Sequence, residues 1–152
     1  MTGLSSNDAY AAPPGFTRAQ RIFIVDDHPI VRFGIAQLLA LEPDLEICGD
    51  AADGHALVEK LRAAGPDLVL LDLCLGSERG IDLLHEIKGV WPTLRVLIVS
   101  THDEQLHARQ AIRAGACGYV MKSAPPERLV TAVRGALQGA IVLSDALAGA
   151  PT

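Results

Sequence analysis

The sequence contains no Cys-x-x-Cys pair and few cysteines, with Cys48, Cys74 and Cys117 as the full set. An odd number of thiols set among apolar residues argues against a disulfide framework and fits reduced cysteines in a cytoplasmic protein. Basic clusters are also missing: 13 Lys and Arg stand against 18 Asp and Glu, for a net charge of −5, and the basic residues are scattered from Arg18 to Arg134. Direct nucleic-acid binding by this chain is therefore not expected. Apolar runs such as Leu68–Leu71 and Val96–Val99 fall far short of the roughly 20 residues that span a bilayer. Residues 1–20 lack the basic start and apolar stretch of a signal peptide. No Gly-x-x-x-x-Gly-Lys-Ser/Thr or Gly-x-Gly-x-x-Gly occurs, so nucleotide binding has no motif behind it. No internal repeat is visible either.

What is present resembles the average of one globular domain, with 152 residues, 49% of them hydrophobic and 20% charged. Residues 1–20, rich in Ser, Asn and Ala and carrying Pro13-Pro14-Gly15, are expected to be a disordered tail. Residues 144–152 are small, Ala-rich and end in Pro151-Thr152. They are expected to be a linker or tail with no effector domain behind them, leaving residues 21–143 as the folded unit.

Within that unit, short aliphatic runs at Ile22–Val25, Leu45–Cys48, Leu68–Leu71, Leu94–Val99 and Cys117–Met121 alternate with segments of helical period. The first, third and fourth runs are nearly continuous Ile, Val and Leu, as in parallel strands buried on both faces, whereas Leu45-Glu46-Ile47 alternates like a sheet edge. Between them, Val31, Ile35 and Leu38, Leu57 and Leu61, Ile81, Leu84 and Ile87, and Leu129, Val133 and Leu137 recur at three to four residues and predict crossover helices. Pro29 suits a first helical turn, and Gly65-Pro66 and Gly115 stop helices before the next strand. The expected fold is a single α/β domain, doubly wound as (βα)5. Right-handed crossovers then bring the carboxyl ends of all strands to one edge, where such sheets bind ligands.

The residues expected on that edge are Asp26 and Asp27, Asp72, Ser100 and Thr101, and Lys122. Carboxylates at about 4 Å repel by about 4 kcal/mol per pair at an effective dielectric near 20, which calls for a cation. Hard oxygen donors select Mg2+ or Mn2+, and a hydrated Mg2+ keeps positions open for a phosphoryl oxygen. The site reads as one for phosphoryl transfer. Asp72, after the most apolar strand, is placed to act as nucleophile, as carboxylates do when they form aspartyl-phosphates. Asp26 and Asp27 would hold the metal, while Lys122 and Ser100 would bind phosphoryl oxygens.

Taken in order, Asp26-Asp27-His28-Pro29, Leu70-Leu71-Asp72-Leu73, Val99-Ser100-Thr101 and Gly118-Tyr119-Val120-Met121-Lys122-Ser123 resemble the receiver domain of bacterial two-component response regulators. The opening tetrapeptide and the Lys-Ser pair further resemble receivers that precede a LuxR-type DNA-binding helix-turn-helix. This resemblance implies a flavodoxin-like sheet of order 2-1-3-4-5. It also implies transfer of a phosphoryl group from a histidine kinase to Asp72, with Mg2+ held by Asp26, Asp27, Asp72 and the backbone carbonyl of Cys74. Ser100 and Tyr119 would then form the switch, Ser100 moving inward and vacating space that Tyr119 fills. The reshaped surface would serve dimerisation or transcriptional output, and the chain would be a switch rather than an enzyme with its own substrate.

Other readings compete. His28, His102 and Cys74 fall near the same edge and admit a soft-metal or redox site, although His102 and His107 do not have the spacing of one helix face. An aspartate-nucleophile phosphatase would want a carboxylate two residues after Asp72, where Cys74 stands. A receiver-like interaction module that ignores phosphate is the remaining alternative. Two departures from the receiver pattern are noted: Gly76 where many receivers carry Pro, which suggests a looser loop, and Ser123 directly after the lysine.

Overall fold

The structure is a computed structural model that describes residues 18–101 and 105–142, with Gln105 and Leu106 described by backbone alone. The aliphatic runs form strands β1 (Gln20–Val25), β2 (Leu45–Ala51), β3 (Leu68–Leu71), β6 (Arg95–Ser100) and β7 (Gly118–Met121). The segments of helical period form α1 (Pro29–Ala40), α2 (Leu57–Ala64), α3 (Gly80–Val90), α4 (Gln105–Arg113) and α5 (Pro126–Leu137). Two short strands, β4 (Cys74–Leu75) and β5 (Glu78–Arg79), make a separate hairpin. All pairings in the five-stranded sheet are parallel, in the order β2-β1-β3-β6-β7. Counting the five long strands alone, this is the expected 2-1-3-4-5.

Strand alternation distributes the core to both sides. Ile22, Ile24, Leu68, Leu70, Leu97 and Val99 pack with Ile35 and Leu39 of α1 and Leu129 and Val133 of α5. Phe23, Val25, Val69, Leu71, Val96 and Ile98 pack with residues of α2, α3 and α4. Each central strand thus buries both faces, which explains its unbroken apolar composition.

Two strand limits and one loop depart from the sequence expectations. β1 begins at Gln20 rather than Ile22, and Arg18 just before it is paired with Asp67 at 2.8 Å. β2 runs on beyond Cys48, because a bulge shifts the register from Ile22 opposite Ile47 to Phe23 opposite Gly49. Such an extra residue breaks the two-residue period that the eye follows. The loop expected to be looser is instead a tight hairpin, with Cys74 opposite Arg79 and Leu75 opposite Glu78. Gly76, at φ 63°, supplies the left-handed first position that a two-residue hairpin turn needs. Residues 1–17, His102 and residues 143–152 lie outside the described residues, so the expected tails fall largely there.

Candidate functional site

The parallel ladder continues one step past the strands and sets the site. Asp26 N–H donates to the Ala51 carbonyl at 3.0 Å, Asp72 N–H to Val25 at 3.0 Å, and Lys122 N–H to Ser100 at 2.7 Å. Backbone bonds from neighbouring strands therefore hold the acids and the lysine at one edge. Asp26 and Asp72 are each 2% exposed, and Ser100 is fully buried.

Lys122 Nζ lies 2.5 Å from Asp26 Oδ2 and 2.8 Å from Asp72 Oδ2. Burial opposes its charge, but hydrogen bonds to both carboxylates outweigh that, and the ammonium pKa stands above the ordinary lysine value. The remaining Asp72 oxygen, Oδ1, accepts from Cys74 N–H at 3.0 Å. Beneath it, Gly80 is packed so closely that a Cβ there would stand 2.4 Å from the Asp72 carbonyl oxygen. A side chain at position 80 would push on the backbone that carries the acceptor aspartate.

Asp27 is placed differently from its neighbours. Asp26, Asp53 and Asp72 each accept the N–H two residues on, from His28, His55 and Cys74. For Asp27 that residue is Pro29, which has no N–H to give. Its Oδ1 is buried without a hydrogen bond, although His28 Nδ1 approaches to 2.9 Å. A buried carboxylate oxygen left without a donor is costly unless a cation reaches it. Asp26, Asp27, His28 and Asp72 each offer a ligand atom within 4.8 Å of the others, so the group could hold a metal ion. Three acids against one ammonium fit a hard divalent cation by charge and donor type.

The profile of the family described as "Response regulator receiver domain" matches residues 22–134. The chain belongs to that family. Curated relatives of this receiver include the nitrate/nitrite response regulator NarL of Escherichia coli K12, 34% identical over 126 residues, covering 83% of this chain and 58% of NarL. The transcriptional regulatory protein DegU of Brevibacillus brevis is 32% identical, over 78% of this chain and 50% of that protein. The receiver thus spans about half the length of these curated relatives. Among solved structures, a LuxR-family two-component response regulator from Aurantimonas sp. SI85-9A1 is 37% identical, with a TM-score of 0.81, covering 86% of this chain and 93% of that one. The receiver is of the LuxR and NarL type.

The fold brings Asp26, Asp27, Asp72, Ser100 and Lys122 to one edge, with Cys74 adjacent through its N–H bond to Asp72. Thr101 is exposed. Tyr119, 1% exposed, already lies inside, in the cluster that includes Ala108 and Ala111 of α4. Its backbone is held at the sheet edge, where Val142 returns beside β7 and accepts from Tyr119 N–H at 2.9 Å. Of the soft-metal candidates, His28 stands at the site, Cys74 is exposed at the hairpin, and His102 lies outside the described residues.

Two contributors escaped the sequence reading. Arg32 Nη1 donates to the Asp26 carbonyl at 2.6 Å and ties α1 to the loop that carries the acids. Glu78 Oε1 accepts from Gly54 N–H at 2.8 Å and ties the hairpin to the loop after β2. Neither contact follows a sequence period. No helix among the described residues is long and apolar enough to cross a membrane.

Proposed function

We propose that this receiver is the phosphoacceptor switch of a two-component relay, taking a phosphoryl group from the phosphohistidine of a sensor histidine kinase onto Asp72. The observation that carries this reading is the setting of Asp72. It ends the central strand, one carboxylate oxygen is paired with Lys122, and the acid pair Asp26-Asp27 stands beside it. In the transfer, an Asp72 oxygen bonds to phosphorus as the P–N bond breaks, and that electron pair returns to the departing imidazole nitrogen. Hydrolysis later releases phosphate and restores the carboxylate.

Asp26, Asp27, Asp72 and the Cys74 carbonyl would hold Mg2+, or Mn2+ in its place, which neutralises the charge on the phosphoryl oxygens. Lys122 exchanges Asp72 Oδ2 for a phosphoryl oxygen, and the Ser100 hydroxyl donates to another. The added charge, about −1.5 to −2, draws Ser100 inward and favours the enclosed position of Tyr119. On this reading residues 21–143 form the receiver and residues 144–152 lead on from it. Output runs through homodimerisation or a DNA-binding module outside this sequence.

The test is intact mass after incubation with acetyl phosphate, with Mg2+ and with chelator, on the wild type and Asp72→Asn. A Mg2+-dependent gain of one phosphoryl group, absent from the variant, is the expected result. An equal yield from Asp72→Asn moves the acceptor elsewhere. No gain under any condition leaves an interaction module whose pocket is unused.

A further inference from the structure

We infer that His28 is a nitrogen ligand of the acidic site and biases its cation choice toward borderline transition ions such as Mn2+ and Co2+ over Mg2+. This rests on the reading that the acids hold a divalent cation, and it adds a residue to which no role in that reading was given.

His28 occupies the N-cap position of α1, with φ −97° and ψ 108°, yet its side chain makes no cap hydrogen bond. Its backbone N–H donates to Asp26 Oδ1 at 2.8 Å, which turns the ring back over the acids rather than toward the helix. Nδ1 then lies 3.2 Å from Asp26 Oδ1 and 2.9 Å from Asp27 Oδ1. Lys122 occupies the Oδ2 atoms of Asp26 and Asp72. The cluster is thereby divided, with the ammonium on one set of oxygens and the imidazole beside the other.

The side beside the imidazole carries the unsatisfied atom. Asp27 Oδ1 is buried without a hydrogen bond even with the ring this near. An ion placed there would satisfy that oxygen and take the imidazole lone pair together. Ligand atoms around one ion with bonds of about 2.1 Å lie up to about 4.2 Å apart. Adjacent ligands on such an ion lie about 3.0 Å apart, close to the 2.9 and 3.2 Å that separate Nδ1 from Asp27 Oδ1 and Asp26 Oδ1, and all four ligand atoms lie within 4.8 Å of one another. The His28 side chain is 60% exposed, so an ion can reach it from solvent.

A site of oxygen donors alone suits Mg2+, whereas one imidazole adds little for Mg2+ and progressively more along the series from Mn2+ to Co2+ and beyond. The nitrogen, and not the number of acids, sets the preference.

The experiment is calorimetric titration of the full chain with Mg2+ and with Co2+ at pH 7.5, on the wild type, His28→Ala, His28→Asn and Asp27→Asn. Nitrogen modulation in the spin echo of bound Mn2+ is the second readout. Both His28 variants are expected to lose about tenfold or more in Co2+ affinity, to keep Mg2+ affinity within about twofold, and to lose the nitrogen modulation. Retained Mg2+ binding also shows that the variants are folded. An equal loss for both ions would make His28 a residue that positions the acids and would overturn the inference, as would unchanged Co2+ binding. If the wild type binds neither ion, the cation reading beneath it fails as well; if Asp27→Asn loses Mg2+ while the His28 variants keep both ions, the acids hold the ion without His28 and the inference alone is overturned.

Discussion

Two ionic clusters stand at opposite ends of the sheet and are built from similar residues. At the carboxyl end, Lys122 faces Asp26 and Asp72 with side chains only 9%, 3% and 2% exposed, and Asp27 adds a further acid. At the amino end, Arg134 of α5 pairs with Asp44 and with Glu42 at 2.6 Å each, with Arg134 36% and Glu42 31% exposed. The Arg134 guanidinium engages both oxygens of Asp44, so its donors meet acceptors in a satisfied fork. In the amino-end cluster every charge is hydrogen-bonded, and Arg134 and Glu42 reach water although Asp44 is buried. The other is dry, short of one cation and left with an unbonded carboxylate oxygen. The first arrangement joins a helix to a loop, whereas the second is poised to accept something more.

The largest effect that would sharpen this contrast is expected from Lys122→Ala. It leaves Asp26 and Asp72 buried without a cation and should cost about 3 kcal/mol in urea unfolding at neutral pH. Millimolar Mg2+ should recover part of that loss, and a cost no larger than that of Arg134→Ala would erase the distinction between the clusters. Gly80→Ala tests the backbone under the dry cluster without touching a charge. Its Cβ would press on the Asp72 carbonyl and Leu73, for an expected cost of about 2 kcal/mol and a lower rate of phosphoryl gain.

Asp27→Ala is expected to act in the opposite direction. Without divalent ions, stability should hold or rise by up to about 1 kcal/mol, since a carboxylate with one buried, unbonded oxygen beside two other acids is removed. A marked loss would mean that Asp27 is not the surplus charge its setting indicates. The smallest effect belongs to Arg134→Ala, about 1 kcal/mol and reduced by salt, because the Arg134 and Glu42 side chains are half-exposed even though Asp44 is buried.

The same pair carries a pH signature. The hydrogen bond from Arg134 holds the Asp44 carboxyl below its ordinary value of 3.8, against the effect of burial. A depressed folded-state pKa contributes stability above the ordinary value and loses it as pH falls through the folded one. The wild-type urea midpoint should therefore drop below about pH 4 with a component that Arg134→Ala lacks. Equal acid limbs in the two proteins would remove that contribution.

Much of the carboxyl-end cluster was legible because the strands are parallel. Asp26, Asp72, Ser100 and Lys122 each end or follow an aliphatic run, and a parallel sheet with right-handed crossovers has one edge for all such ends. The amino-end cluster was not legible. Arg134 and Asp44 meet only because α5 packs beside the turn before β2, and no local period records that approach. The hairpin at Cys74–Arg79 was misread for a related reason. Gly76 suggests looseness when taken alone, but in the turn between Leu75 and Glu78, which pair across the hairpin, and with Glu78 bonded to Gly54, it is the residue that lets the turn close.

The sequence by itself determined the alternation of strands and helices, the burial of the central strands and the edge on which the acids gather. Those follow from hydrophobic period and chain handedness, which are local properties repeated along the chain. Only the tertiary structure decided that Asp27 lacks a donor while its neighbours have one, that His28 turns back over the acids, and that Tyr119 lies inside. Each depends on the direction of one side chain at a loop or an edge, set by contacts between segments far apart in sequence.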